Sequence, residues 1–505
     1  MSDAQDTKNG VSRRDFLKIA GLAGLAVQAG GFVAGGIAAG SSSETYTGWE
    51  SNNPGTQFFN RKPFEVEGPV FKPVGEVRRP SHMTDYVFGR VATFQKALEA
   101  NPTWTIEDPI EDMGFPPPMV EFYKKFPERL DWDYKTFTET IPNNGEDRKQ
   151  YGAYYHLIDV YEAGFGAIRP VSPDSPPEEY DFTTIGRGGG QPLGEKLPFK
   201  SPELAAEFVK EISHRFGATL VRITKPNIDW HYGDGWRGCP PEYDHSKLPA
   251  HYKSAIVIGV PMEWDEVLGS PQMSTSQDAY ARVSIAGIRI EGALKKMGYA
   301  TRASTPNNGY DVVVPPYAVD AGLGEHCRAG YVITPETGSN CRTAVILTNL
   351  ELAEDKPIEF GVKEFCQKCK ICAEQCPSGA ISFADNYDGL EIRGYEHWYI
   401  NNGACYNFWR ESMGGMGCRL CVANCPYSRK DNWLHDLSRE LDPRDPTGTV
   451  SSTLLWMQKN FFDAPEALEY RRIAEGGKFA QYRKEPFWLQ GETYLDIDIV
   501  DPKES

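Results

Sequence analysis

Apolar residues between 276 and 297 recur at alternating four- and three-residue steps, through Val283, Gly287, Ile290 and Leu294, and Gly298 follows. That spacing keeps one face of a helix apolar, and a glycine is a natural C-terminal stop, so an amphipathic helix is predicted over 276–297. A second helix is predicted from Ser201-Pro202-Glu203, a capping residue, a proline at the first helical position and an acid in the first turn, to about Phe216. The short runs of Val, Ile and Leu at 218–224 and 254–260 are bounded by Pro or Gly and read as buried strands. Helices and strands alternate in this way to about Thr348, which predicts a mixed α/β (α+β) core. Ahead of it, from Ser41 to about Pro198, proline clusters such as Pro116-Pro117-Pro118 and the loop Gly186-Arg187-Gly188-Gly189-Gly190 predict a lobe of short elements. No Lys-Ser or Lys-Thr follows the glycines, so they read as a flexible turn and not as a phosphate cradle.

The longest apolar run, 19–39, is rich in Ala, Gly, Leu and Val, and it follows Ser12-Arg13-Arg14-Asp15-Phe16-Leu17-Lys18. An arginine pair directly ahead of such a run resembles a twin-arginine export signal, with small residues near Ala38 and Ala39 offering a cleavage site. A transmembrane anchor or buried helix would suit the run less well, because each glycine lowers helix propensity by about 1 kcal/mol. That export route carries folded proteins, so an oxygen-sensitive cofactor can be inserted before transport. No second long apolar segment follows, which leaves lasting membrane attachment to a partner protein.

At 505 residues the chain is long enough for two or three domains. Its net charge of -17 opposes phosphate backbones and anionic lipid, so nucleic acid is not an expected partner. The 49 glycines and 37 prolines predict a loop-rich enzyme with many irregular connections.

Eight of the 11 cysteines crowd into 366–425. Cys366, Cys369, Cys372 and Cys376, followed by Pro377, have the bacterial ferredoxin spacing, in which three thiolates hold one cubane and the fourth crosses to the other. Cys405, Cys418, Cys421 and Cys425, followed by Pro426, repeat the pattern with a stretched first interval. By crossover, Cys366, Cys369, Cys372 and Cys425 should hold one [4Fe–4S] cluster, and Cys376, Cys405, Cys418 and Cys421 the other. Thiolates also suit zinc, but two such sets, each closed by a proline, favour iron–sulfur. Cys239, Cys327 and Cys341 read as small buried hydrophobes.

An export signal, an α/β domain and two cysteine motifs, in that order, resemble a respiratory reductive dehalogenase catalytic subunit over nearly the whole chain. The stretches Ala321-Gly322-Leu323-Gly324-Glu325, Ile333-Thr334-Pro335-Glu336, Leu347-Thr348-Asn349 and Pro357-Ile358-Glu359-Phe360-Gly361-Val362 carry the same resemblance in the same order. It implies a nitroreductase-like core that binds a corrinoid (cobamide), beside a bacterial-ferredoxin-like domain with two [4Fe–4S] clusters. The family's catalytic tyrosine maps to Tyr280, its arginine partner to Arg342, and a nearby asparagine to Asn307 or Asn308. Asp229-Trp230-His231-Tyr232-Gly233-Asp234 only approaches a cobalt-ligating pattern, and His231 reads as a loop histidine. Trp230, Trp236 and Trp264 are candidates for a pocket wall, with core packing as the plainer role.

The implied organisation is a signal at 1–40, an N-terminal lobe at 41–200, a corrinoid-binding core at 201–360, a two-cluster domain at 361–435 and a C-terminal extension at 436–505 packing on the core. The implied activity is removal of halogen from an organohalide, by hydrogen replacement or vicinal elimination, at low-valent cobalt reloaded by the clusters. The protein would be the terminal reductase of anaerobic organohalide respiration. The implied location is the outer face of the cytoplasmic membrane, and the implied partners are a small membrane anchor, an upstream electron donor, the export machinery and a maturation chaperone. Two other readings stay open: a corrinoid enzyme of the epoxyqueuosine reductase type, opposed by the export signal and acidic charge, and a non-catalytic electron-transfer subunit.

Overall fold

The computed structural model describes residues 64–140, 196–233, 252–263, 267, 274–306, 310–388, 395–412, 418–428, 441 and 447–461. The arginine pair, the run at 19–39, the glycine loop, Cys239, Asp234, Trp236, Trp264, Asn307 and Asn308 lie outside the described residues. The strands are β1 Phe64–Glu65, β2 Leu220–Thr224, β3 Ser254–Pro261, β4 Thr301–Ser304, β5 Glu325–His326, β6 Val332–Ile333, β7 Cys341–Thr348 and β8 Ile358–Glu359. The helices are α1 Val87–Ala100, α2 Pro117–Lys125, α3 Pro127–Lys135, α4 Pro202–Arg215, α5 Ser274–Lys296, α6 Val314–Asp320, α7 Val362–Cys369, α8 Ile371–Glu374, α9 Asn402–Ser412, α10 Leu420–Ala423 and α11 Thr449–Phe461.

A four-stranded sheet in the order β2-β3-β7-β4 forms the centre, and each strand runs against its neighbour. The core is therefore α+β; alternation of helices and strands along the chain does not by itself set strand direction. Side chains on β3 and β7 alternate between two apolar layers. Ile256, Ile258, Ala344 and Ile346 pack toward α4 and α5, while Ala255, Val257, Val345 and Leu347 pack toward α6. With both faces covered, the strands read as continuous hydrophobic runs.

Both helices expected from sequence are present. Ser201 Oγ accepts from the Leu204 amide at 3.3 Å and caps α4. Val283, Ile290 and Leu294 on α5 are fully buried. A Cβ at Gly287 would stand 2.9 Å from Thr305 Cγ2, so glycine lets α5 close onto the end of β4. The proline cluster at 116–118 opens a helix instead of breaking one, because Pro117 occupies the first position of α2, where no amide partner is lost. Around Phe94, Met113, Met119 and Tyr123 the α1–α3 lobe has its own apolar centre. Within it, the buried Arg90 and Asp133 pair at 2.7 Å.

The cysteine-bearing segments attach to the core through short glycine-dependent contacts. Gly338, at φ +62°, lies so close to the Tyr427 carbonyl that a Cβ would stand 2.1 Å from its oxygen. Ser339 and Ser428 hydroxyls meet there at 2.7 Å. Among the described residues, no helix is long and apolar enough to cross a membrane.

Candidate functional site

The two cysteine motifs fold as a repeat. Lys370, between Cys369 and Cys372, and Arg419, between Cys418 and Cys421, both take left-handed backbone conformations and precede the one-turn helices α8 and α10. These two helices lie against each other. Cys366, Cys369 and the partly buried Cys425 share one apolar cluster with Cys327, and Cys372 is electrostatically close to the same group. Cys376, Cys405, Cys418 and Cys421 instead line a common cavity. In space, Cys366, Cys369, Cys372 and Cys425 are thus grouped apart from Cys376, Cys405, Cys418 and Cys421. Among the described residues, no three His, Cys, Asp or Glu side chains converge tightly enough for a single metal ion. A cubane asks for something different, since each of its irons takes one thiolate.

Burial pushes the Cys421 thiol up to about 11 and those of Cys369 and Cys405 up to about 12. Bare thiols in these sets keep their protons, and iron must displace them on binding. Arg328, fully buried, donates to the carbonyls of Cys366, Ser382 and Ala384 and lies over the Trp398 ring, holding α7 in place. Glu325 accepts from the Phe360 and Val362 amides at the start of α7. Burial raises its carboxyl to about 7, against the two amide hydrogen bonds, which lower it.

The cavity has a volume of about 860 Å³, toward the upper end for a small-molecule site. Besides the cysteines, its lining includes the aromatic residues Trp230, Tyr232 and Tyr395, together with His326. Burial, then nearby His397, depresses His326 to about 3, so the imidazole is neutral at working pH, and its Nδ1 has no hydrogen-bond partner among the described residues. Broad aromatic faces and a neutral polar ring fit a large, flat, amide-bearing cofactor of the corrinoid kind.

Tyr280 lies in the second turn of α5, and Arg342 comes from β7. The structure brings them together: the Arg342 guanidinium carbon is 4.9 Å from the centre of the Tyr280 ring. One Arg342 amino group donates to Ser276 Oγ at 2.9 Å, and its buried Nε has no hydrogen-bond partner among the described residues. Burial opposes ionisation of the Tyr280 phenol, but Arg342 and Arg419 outweigh it and hold its pKa below the usual value. Neither Tyr280 nor Arg342 is among the cavity-lining residues. They meet it through Arg419 and Tyr331, which line the cavity and act electrostatically on the pair.

Sequence reasoning passed over Arg419, Ser276, Tyr331, Arg328 and Glu325. The pairing of Cys418-Arg419-Leu420-Cys421 with Cys369-Lys370-Ile371-Cys372 was the available signal. His231, read as a loop histidine, is fully buried and bonded through Nε2 to the Tyr317 hydroxyl at 2.6 Å. Trp230 combines both roles considered for it, packing on Tyr395 while lining the cavity. Cys327 and Cys341 are buried, as expected of small hydrophobes.

Residues 365–428 match the family described as 4Fe-4S dicluster domain. The tetrachloroethene reductive dehalogenase of Dehalobacter restrictus is 28% identical over 342 residues, 56% of this chain and 61% of that protein. The tetrachloroethene reductive dehalogenase of Sulfurospirillum multivorans is 31% identical over 267 residues, 46% of this chain and 52% of that protein. The chain therefore spans between half and two thirds of the length of these relatives. The solved structure of a catabolic reductive dehalogenase superposes on 81% of this chain and 50% of that one, with a TM-score of 0.53 at 21% identity, a likeness of fold.

Proposed function

We propose that this chain, which belongs to the reductive dehalogenase family, removes halogen from an organohalide with electrons delivered through two [4Fe–4S] clusters to a corrinoid. The observation that carries the reading is a convergence on one cavity. Cys376, Cys405, Cys418 and Cys421 line it, and so do Arg419 and Tyr331, which flank Tyr280 and Arg342.

In hydrogen replacement, two electrons enter, the carbon–halogen bond breaks, halide leaves with the bonding pair, and a proton completes a carbon–hydrogen bond. A bound corrinoid would supply the electrons at low-valent cobalt. Trp230, Tyr232, Tyr395 and His326 are the residues that would hold it. Tyr280 is the proposed acid: its phenol keeps a proton at neutral pH and releases it from Oη as carbon gains negative charge. Arg342, over the ring, then stabilises the phenolate. Asn307 and Asn308 remain family-based candidates for the same site. Cys366, Cys369, Cys372 and Cys425 would hold the cluster remote from the cavity, and Cys376, Cys405, Cys418 and Cys421 the one beside it.

The organisation proposed with this activity is a signal at 1–40, a lobe at 41–200, a corrinoid core at 201–360, a cluster domain at 361–435 and an extension at 436–505. Twin-arginine export would bring the protein to the outer face of the cytoplasmic membrane, where a small anchor and an electron donor would meet it. Anaerobic reconstitution with iron, sulfide and a cobamide should give about eight iron atoms and eight sulfides per chain. The reconstituted protein should release halide from at least one member of a panel of chlorinated and brominated alkenes, alkanes and phenols, with a low-potential dye as donor. Full iron content without corrinoid uptake or halide release would leave an electron-transfer subunit as the function.

A further inference from the structure

The cysteine repeat is symmetric in backbone but not in what its basic residues reach. Lys370 turns outward to an exposed ion pair with Asp385. Arg419, at the equivalent position, is 3% exposed, stacks over the Trp409 ring at 5.1 Å, and donates through Nε to Ser276 Oγ at 2.5 Å. Ser276 is fully buried on α5, one turn before Tyr280, and Arg342 donates to the same oxygen at 2.9 Å. Its own hydroxyl proton points to Met262 Sδ at 3.6 Å. One neutral oxygen therefore gathers two guanidinium groups, one from β7 and one from the loop between Cys418 and Cys421. Two buried cations are not brought to one hydroxyl without electrostatic cost, so the arrangement implies an anion to be stabilised beside them.

We infer that Arg419 is a positioning residue for the proton donor, fastening the loop of the cavity-side cysteine set to α5 through Ser276 and supplying a second cation to the Tyr280 phenol. Assembly of that set would then also set the geometry of the acid, although 143 residues separate the two ends of the contact. Trp409 extends the connection, since its side chain lies near Cys405. Among the described residues, the groups acting electrostatically on the phenol include Arg342 from β7, Arg419 from the cysteine loop and Tyr310 from the segment after β4. Tyr310 is itself kept protonated by burial, so the two arginines carry the charge that acts on Tyr280.

This inference rests on the role proposed for Tyr280, and its first test needs no turnover. In reconstituted protein, the phenolate absorbance of Tyr280, taken as the difference between the parent and its Tyr280→Phe variant, should titrate at higher pH in an Arg419→Gln background than in the Arg419 protein. Arg419→Lys should restore part of the shift, and Lys370→Gln should leave it unchanged. Ser276→Ala should shift it upward without changing any residue of the cysteine loop, and decides the matter if Arg419→Gln loses iron. With an active substrate, Arg419→Gln should lower kcat about tenfold or more at nearly constant KM, with iron content retained. An unchanged phenol titration in both Arg419→Gln and Ser276→Ala overturns the inference. A shifted titration in a protein that dehalogenates nothing supports the positioning and sinks the dehalogenase reading.

Discussion

Tyr280 and Arg342 come from a helix and a strand far apart in the chain, and they touch only because β7 packs against α5. Tyr280→Phe keeps the ring beneath the guanidinium and removes the only acidic proton, so cofactor content should hold while dehalogenation falls about 10²-fold or more. Full turnover by that variant, with both cofactors bound, would place the proton source elsewhere. Arg342→Leu should lower turnover similarly and also move the pH profile. As the proposed acid, Tyr280 would work in its protonated form, present below its pKa and lost as pH rises through it, and Arg342 and Arg419 hold that pKa down against burial. The alkaline limb should therefore lie below the ordinary phenol value of about 10 in the parent and rise in Arg342→Leu. An unmoved limb in the kcat profile would remove Tyr280 from it. At this scale the family resemblance singles out Tyr280 and Arg342, and the fold brings the two into contact. Ser276 and Arg419 were not legible, because nothing local in a serine or in a Cys-Arg-Leu-Cys step reports which distant group it touches.

Periodic elements were the more readable part. The predicted helices at 201–216 and 276–297 and the strands at 218–224 and 254–260 correspond to α4, α5, β2 and β3, since each buries a face that repeats at its own period. Helix α7 shows what periodicity misses: its start is completed by Glu325, a residue from β5 that accepts two amides there. Burial raises that carboxyl to about 7, whereas an unfolded glutamate titrates near 4.3. A raised folded-state pKa means that the folded chain holds a proton the unfolded chain has lost. The associated stability is complete below about pH 4 and disappears as pH climbs through 7. Glu325→Gln keeps the accepting oxygen and cannot ionise. Between pH 5 and 8 the parent should therefore lose stability relative to Glu325→Gln, by an amount on the order of 3 kcal/mol. Denaturant unfolding of both proteins across that range measures the difference, and comparing them cancels Asp320, which burial raises to about 6. Parallel curves would show that Glu325 is ionised in the fold.

Across the whole molecule, the arrangement that matters is the crossing of the two cysteine motifs. The spacing in the sequence allowed it, and the fold separates the thiols accordingly: Cys425 packs with Cys366 and Cys369, while Cys376 joins Cys405, Cys418 and Cys421 at the cavity. The cavity itself was not legible, because its wall draws on the α1–α3 lobe, the segment around Trp230 and the residues near Tyr395, which meet only after folding. Crossing makes a prediction opposite to that of two independent motifs. Cys366→Ala with Cys425→Ala removes two ligands from one set, so a single cluster should be lost and iron should fall from about eight to about four per chain. Cys366→Ala with Cys376→Ala, both within the first motif, removes one ligand from each set and should compromise both clusters. If each motif held its own cluster, the two double variants would exchange behaviours. Iron and sulfide counts on the anaerobically reconstituted proteins, with paramagnetic resonance of the reduced forms, read the outcome. The crossed result would join the electron path to the cavity: residue Cys376, from the first motif, would ligate the cluster that faces Arg419, and electrons would leave the relay beside Tyr280.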